Sequence, residues 1–381
     1  MTMAGYRTMM ALLLTVGIVF QLSESRVTCR NDRGNEVYSV QVAPGNGSGL
    51  SYLYMDESTN GWKLSGNNID SSSGTLGNTL KPLLDFYIRQ TEGFGYILYN
   101  DQLEKKTVSH HLDTVKVSAT IFHFIVVQDT EKYYNVTKLC FCSSVLLPKG
   151  VVMLDKDTGV WLSHSTPKFP TDQSKSFWPK SGNVKGQTFL CVTYSYGLQL
   201  KYIHPYAYDH FIPKTFHMEL QNVALNTGYP TEGLWFSVED LTSLGGNYFS
   251  SFAKYTRFHD DLYSGLIVKY MPESLYVKGW GNKGGSVLLM SNCSTRIPHH
   301  VYNVKKVKLR NKVYSDTEDH SKWCVAPNSG WTCIADLNRH LSQMNRGGGA
   351  ICIKDVAVAK AFYATIDDYE PCPSITPHFD L

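Results

Sequence analysis

The sequence predicts a mixed α+β fold rich in strands. Three observations carry this. Short alternating or apolar runs recur along the chain, each bounded by Gly, Asn, Asp or Pro. Helical periodicity is much less frequent and is best in two stretches, 79–90 and 355–366. Aromatic residues make up 13% of the chain, which suits pleated, half-buried surfaces.

Taken in order, the strand-like runs are 37–42, 96–99, Gly150–Leu154, 159–162, 188–194, 233–238 and 286–290. The second helical stretch places Val356, Val358, Ala361, Phe362 and Ile366 on one stripe. Residues 117–147 differ in texture and read as an atypical insert. They hold the apolar run 121–127 (IFHFIVV), a glycosylation sequon at Asn135 and the sequence LCFC at 139–142. A buried strand is the simplest reading; left alone, such a run would aggregate.

Composition excludes several classes. With 43% apolar and 18% charged residues, most of the chain is not disordered. A length of 381 residues allows one large domain or two medium ones, and no heptad run or internal repeat is evident. The net charge of +3 rules out a polycationic DNA-coating protein but leaves room for a local basic cleft.

The first 25 residues read as an address. Arg7 is the only charge before the apolar run 11–20, and the small residues Ser23 and Ser25 follow. This is a secretory signal, cut before Arg26, with an apolar stretch too short for an ordinary membrane span. The expected location is therefore the secretory route, ending in a lysosome or outside the cell. Nine Cys and sequons at Asn46, Asn135 and Asn292 agree with an oxidising compartment and disulfides. An odd count leaves at least one Cys unpaired or bridging chains. No CxxC is present, so structural zinc is not expected.

The sharpest chemical cluster is 318–324 (EDHSKWC). In an extended segment His320 and Lys322 share one face. An ammonium can hold the non-bridging oxygens of a phosphate while an imidazole attacks phosphorus or moves a proton. Asn338 lies 18 positions after His320. The first half carries a parallel plan. Lys149 lies in 147–150 (LPKG), and His164 comes 17 positions after Leu147. Two such half-sites would make one site at a pseudo-twofold interface.

The stretches 54–62 (YMDESTNGW), 98–102 (LYNDQ), 161–170 (WLSHSTPKFP), 252–265 (FAKYTRFHDDLYSG), 291–294 (SNCS), 319–324 (DHSKWC) and 345–349 (NRGGG) resemble the deoxyribonuclease II family of the phospholipase D superfamily. The resemblance spans most of the mature chain. It implies two similar α/β halves, each a central mixed sheet flanked by helices, facing across a cleft as a pseudo-dimer. The first half would be residues 26–200 and the second 201–381. It implies an endonuclease that cuts DNA in acid, without a metal or other cofactor, leaving 3′-phosphate ends. It also implies the pairings Cys29–Cys191, Cys293–Cys372 and Cys333–Cys352, leaving Cys140, Cys142 and Cys324.

One position departs from the family pattern. Its first-half motif is His-x-Lys-Gly, and here the histidine is Leu147, which can neither attack phosphorus nor carry a proton. The departure abuts the atypical insert. Residues 116–118 (KVS) are what a consensus splice donor would encode, and 139–143 (LCFCS) could arise from a T-rich acceptor tract, so part of 117–144 is a candidate retained intron.

The residues give this mechanism. One histidine attacks the phosphodiester, an opposing acid protonates the departing 5′-oxygen, and water releases the 3′-phosphate. Lys149 and Lys322 clamp the charge, and Asn338 and His164 help to orient it. A cationic imidazole in acid would both donate a proton and attract DNA. Two rival readings stand beside this one. The first is a catalytically impaired family member that binds DNA or another partner; the second is a phospholipase, which no basic amphipathic helix or lipid anchor supports. Oligomeric state is not legible.

Overall fold

The computed structural model describes residues 26–36, 39–43, 49–99, 149–171, 176–196, 209–216, 235–281, 286–294, 296 and 299–372. The expected signal, the insert 117–147, Leu147 and the sequons at Asn46 and Asn135 lie outside the described residues. Among the described residues, no helix is long and apolar enough to cross a membrane.

The fold is mixed α+β, built on two large sheets. The first contains β1 (Ser39–Ala43), β2 (Leu53–Met55), β3 (Lys63–Leu64), β4 (Gly95–Tyr99), β5 (Gly150–Leu154), β6 (Thr158–His164), β7 (Gln187–Ser195) and β8 (Asp209–Phe211). Its order is β3-β2-β1-β7-β6-β5-β4-β8, and every pairing in it is antiparallel. The edge strand β8 lies past residue 200, where the halves were expected to divide. Helix α1 (Thr75–Arg89) precedes β4.

The second sheet contains β9 (Phe236–Thr242), β10 (Tyr248–Lys254), β11 (Leu275–Lys278), β12 (Val301–Leu309), β13 (Lys312–Ser315), β14 (Trp323–Ala326), β15 (Trp331–Ala335), β16 (Gly348–Lys354) and β17 (Ile366–Glu370). Its order is β13-β12-β11-β14-β15-β16-β10-β9, with β17 also on β12. The parallel pair β11–β12 makes this sheet mixed. Helix α2 (Val356–Tyr363) begins at Asp355, whose carboxylate accepts from the N–H groups of Ala357 and Val358 at 2.7 and 3.0 Å. Such a cap satisfies donors that a helix start leaves open.

Side-chain alternation sorts each strand between two layers. In β4 and β5, Ile97, Tyr99, Val152 and Leu154 face the second sheet, while Tyr96, Leu98, Val151 and Met153 face Leu76, Leu80, Leu83 and Phe86 of α1. In the second sheet, Trp323, Val325, Ile334, Ile351 and Ile353 face inward with Val358 and Phe362 of α2. Cys324, Cys333, Ala335 and Cys352 face outward, under the helical turns Leu262–Leu266 and Ile267–Lys269. The two sheets thus pack face to face over one common apolar core. Trp62 of the first half donates from Nε1 to Ala361 O of the second at 3.0 Å.

The three expected disulfides are present: Cys29–Cys191, Cys293–Cys372 and Cys333–Cys352. Cys324 is free and buried. Cys140 and Cys142 lie outside the described residues.

Two expectations need correction. The run 286–290 is not a strand: it makes one isolated bridge, Leu288 to His340, and leaves Val287 and Met290 exposed. The second helix stops at Tyr363, because Ile366 is drawn into a ladder opposite Val307.

Candidate active site

The site residues are carried on matching ends of the two sheets. Lys149 immediately precedes β5, His164 closes β6 and Gln187 opens β7. The backbone binds them together, with His164 N donating to Lys149 O at 3.3 Å. In the second sheet Lys278 closes β11 beside Trp323, while Lys322 immediately precedes β14. Asn338 follows the end of β15. The two ends meet at a bridge between Gly186 and Asp319, where His320 N donates to Gly186 O at 2.9 Å. Lys185 adds a bond from Nζ to Thr317 O at 2.9 Å.

His320 sits at this junction, buried. Lys322 Nζ lies 3.3 and 3.4 Å from its two ring nitrogens and donates to its backbone carbonyl at 2.8 Å. Gln187 of the first half brings Oε1 to 3.4 Å from Nδ1, a long contact, and the same oxygen accepts from the Ser165 hydroxyl at 2.8 Å. The Trp280 ring stands edge-on to the imidazole, with centroids 4.8 Å apart. Burial, then Lys322, Lys149 and Lys278, hold the His320 imidazole well below its usual range, opposed by a hydrogen bond to the Ser165 backbone. Burial and the neighbouring lysines thus disfavour the cationic imidazole that acid would otherwise produce. A neutral ring with one nitrogen donating to Gln187 or Ser165 offers a lone pair on the other.

Lys278 is fully buried. Its Nζ donates to Gly279 O and Asp319 O, both at 2.9 Å, and lies 3.4 Å from Asp319 Oδ2. Asp319 in turn accepts from Ser321 N and its hydroxyl, at 3.0 and 2.7 Å. This pins the segment that carries His320.

Asn338 reaches the site through Trp280. Its Oδ1 accepts from Trp280 N at 2.9 Å, and its own N–H donates to Gln343 Oε1 at 2.6 Å. His340 lies 3.0 Å from Trp280 O through Nε2. Both hold the indole against His320. His164 is placed differently. It is fully buried between Phe169 and Phe189, with ring centroids 4.8 and 5.8 Å away. Neither ring nitrogen closes a hydrogen bond among the described residues. Burial and then the Lys149 charge hold it well below its usual range, with the Thr166 backbone opposing. The structure thus brings Lys149, His320 and Lys322 together, sets Asn338 behind Trp280 and seals His164 beside Lys149.

Among the described residues, one group of three side chains has metal-ligand spacing: Cys293, His300 and Cys372. Its two sulfurs are joined in a disulfide and are not thiolates.

The family model for deoxyribonuclease II matches residues 28–372. The chain belongs to the deoxyribonuclease II family. Among its relatives, Deoxyribonuclease-2-alpha of Rattus norvegicus is 34% identical over 94% of this chain and 98% of its own length. Deoxyribonuclease-2-beta of Homo sapiens and Plancitoxin-1 of Acanthaster planci are each 31% identical over 96% of this chain, and over 97% and 98% of their own lengths respectively.

Within this deoxyribonuclease II chain, sequence reasoning missed Gln187, Lys278 and Trp280. None sits in a motif with His320. Gln187 comes from the other half, and only the Gly186–Asp319 bridge brings it near. Lys278 carried one usable signal, a cation closing a strand-like apolar run.

Proposed function

We propose that the chain is a secretory-route endonuclease, lysosomal or extracellular, that hydrolyses DNA phosphodiester bonds to 3′-phosphate ends without a metal. The observation that carries this is a buried His320 with Lys322 against its ring and Lys149 and Lys278 nearby, at the junction of two sheets. A bound phosphodiester pairs its charge with the flanking lysines, while burial still disfavours protonation of the imidazole. His320 then attacks phosphorus through its unprotonated nitrogen, and the P–O5′ bond breaks. The departing oxygen takes a proton from a water molecule, the hydroxide so formed attacks the phosphohistidine, and the P–N bond breaks to release the 3′-phosphate and restore His320. Lys149 and Lys322 balance the charge of the transition state, while Asn338 positions Trp280 and His164 supports Lys149. Residues 26–200 and 201–381 are the two proposed half-domains, with β8 of the second segment completing the sheet of the first.

A second reading is favoured by Leu147: with the first-half imidazole missing, leaving-group protonation falls to a weaker donor, and the chain acts as a DNA binder. Plasmid nicking at pH 5 in the presence of chelator, by protein lacking residues 1–25, separates the two. Nicked product with 3′-phosphate ends is expected. Tight plasmid binding without nicking would favour the second reading, and rescue of an EDTA-silenced protein by magnesium would overturn the metal-free mechanism.

A further inference from the structure

The β12–β13 hairpin carries a row of cations that the chemistry at His320 does not use. Residues 305–312 read KKVKLRNK. Val307, Leu309 and Tyr314 bury one face of the hairpin against the common core; Lys306 and Lys308 alternate onto the other face and lead to Arg310, while Lys312, opposite Leu309, is exposed at the rim near the tip. Two of these cations are balanced or partly so: Lys305 lies 3.8 Å from Asp316, and Lys306 lies 3.7 Å from Asp368. No carboxylate of a described residue forms an ion pair with Lys308, Arg310 or Lys312.

The hairpin has a direction. Val304 is level with Lys278 at the end of β11, and β12 continues to Leu309. At about 3.3 Å per residue it runs roughly 17 Å past the end of β11, with β13 and β17 paired along it. Its return strand β13 leads through residues 316–319 straight into His320. Cations two residues apart on such a strand are spaced by about 6.6 Å, close to two base-pair steps of a duplex axis. The tip residue Arg310 holds φ at +56°, where Asn or Gly would be relaxed and a longer side chain is strained. The strain is borne by the residue that sets a guanidinium at the far end of the row.

We propose that the β12–β13 hairpin is an arm that tracks the DNA backbone, holding duplex phosphates about five base pairs from the scissile bond. The proposal rests on the phosphodiester reading above. It adds the surface that decides affinity for long DNA.

The test measures binding of duplex DNA of increasing length against salt, in a His320→Ala background that leaves the DNA intact. Two variants are compared: Lys308→Ser/Arg310→Ser/Lys312→Ser, and Arg310→Asn alone, which relaxes the backbone and so guards against misfolding. The triple variant should bind a 30-base-pair duplex at least about tenfold more weakly, with the salt slope lowered by about 2–3; Arg310→Asn should lower it by about one. Unchanged affinity and slope in variants that melt at the parent temperature would overturn the arm. So would hairpin-dependent binding to phosphatidylserine vesicles with none to DNA. Turnover of a small chromogenic phosphodiester by the unsubstituted chain tests the catalytic reading separately. Its absence, with hairpin-dependent DNA binding intact, would sink that reading and support the arm.

Discussion

The imidazoles of His320 and His164 are both held well below their usual range, by burial first, and His320 is the one that meets the other half, through Gln187 and Gly186. His320→Ala should abolish cleavage while DNA affinity persists, since bond-making rests on one imidazole and affinity on many cations. Normal turnover by a folded His320→Ala protein would refute the assignment. His164 reports instead on stability. Its pKa is depressed in the folded chain from 6.5, so the unfolded chain takes up the proton first as pH falls. The stability of the neutral form is complete above about pH 6.5. It is lost below that, at up to about 1.4 kcal/mol per pH unit. His164→Leu should therefore show a smaller drop in Tm between pH 7 and pH 5 than the parent; equal drops would show that another group sets acid sensitivity. Leu147→His should raise cleavage at pH 5 by at least about tenfold, the low end of one acid–base group's contribution. The comparison is best run with residues 117–144 present and deleted, and no gain in either would favour the DNA-binding reading.

At the scale of elements, Gly349 shows how tightly strands near the site are set. A Cβ there would lie 2.2 Å from Phe252 O, its partner strand's carbonyl, and its N–H already donates to Asp336 Oδ1 at 2.8 Å. Gly349→Ala should destabilise the fold by about 1–3 kcal/mol in denaturant titration. An unchanged midpoint would mean that β10 and β16 can part without loss. The runs at Gly150–Leu154 and 188–194 were legible because alternation and turn residues specify a strand wherever one face is buried. The run 286–290 has the same apolar content and no neighbouring ladder to join, a fact of tertiary placement that periodicity does not hold. His320 and Lys322 were legible as a local pair. The contribution of Gln187 and the screening of His320 by Lys278 were not, since both arise from contacts between distant segments. Cys324 faces Cys333, itself bonded to Cys352, yet burial pushes its thiol far up and keeps it from exchanging.

For the whole molecule, the common core is the decisive feature. Leu190, Val192 and Tyr194 from one sheet and Phe249, Trp323 and Ile351 from the other belong to one buried cluster. Neither half can cover that face alone, so far-UV circular dichroism and tryptophan fluorescence should report one coincident unfolding transition. Two resolved transitions would show that the halves are separate folding units. Among the described residues, all three disulfides close within a half: the first joins residues 29 and 191, and the others join residues beyond 292. Between β8 and β9 the only covalent tie among the described residues is the backbone itself. Cutting that peptide connection once would convert the molecule into a two-chain protein with no sulfur bridge between the described residues of its two pieces. Such a nicked form should keep its native mass in solution and its His320 site assembled, yet run as two bands on a denaturing gel without reductant.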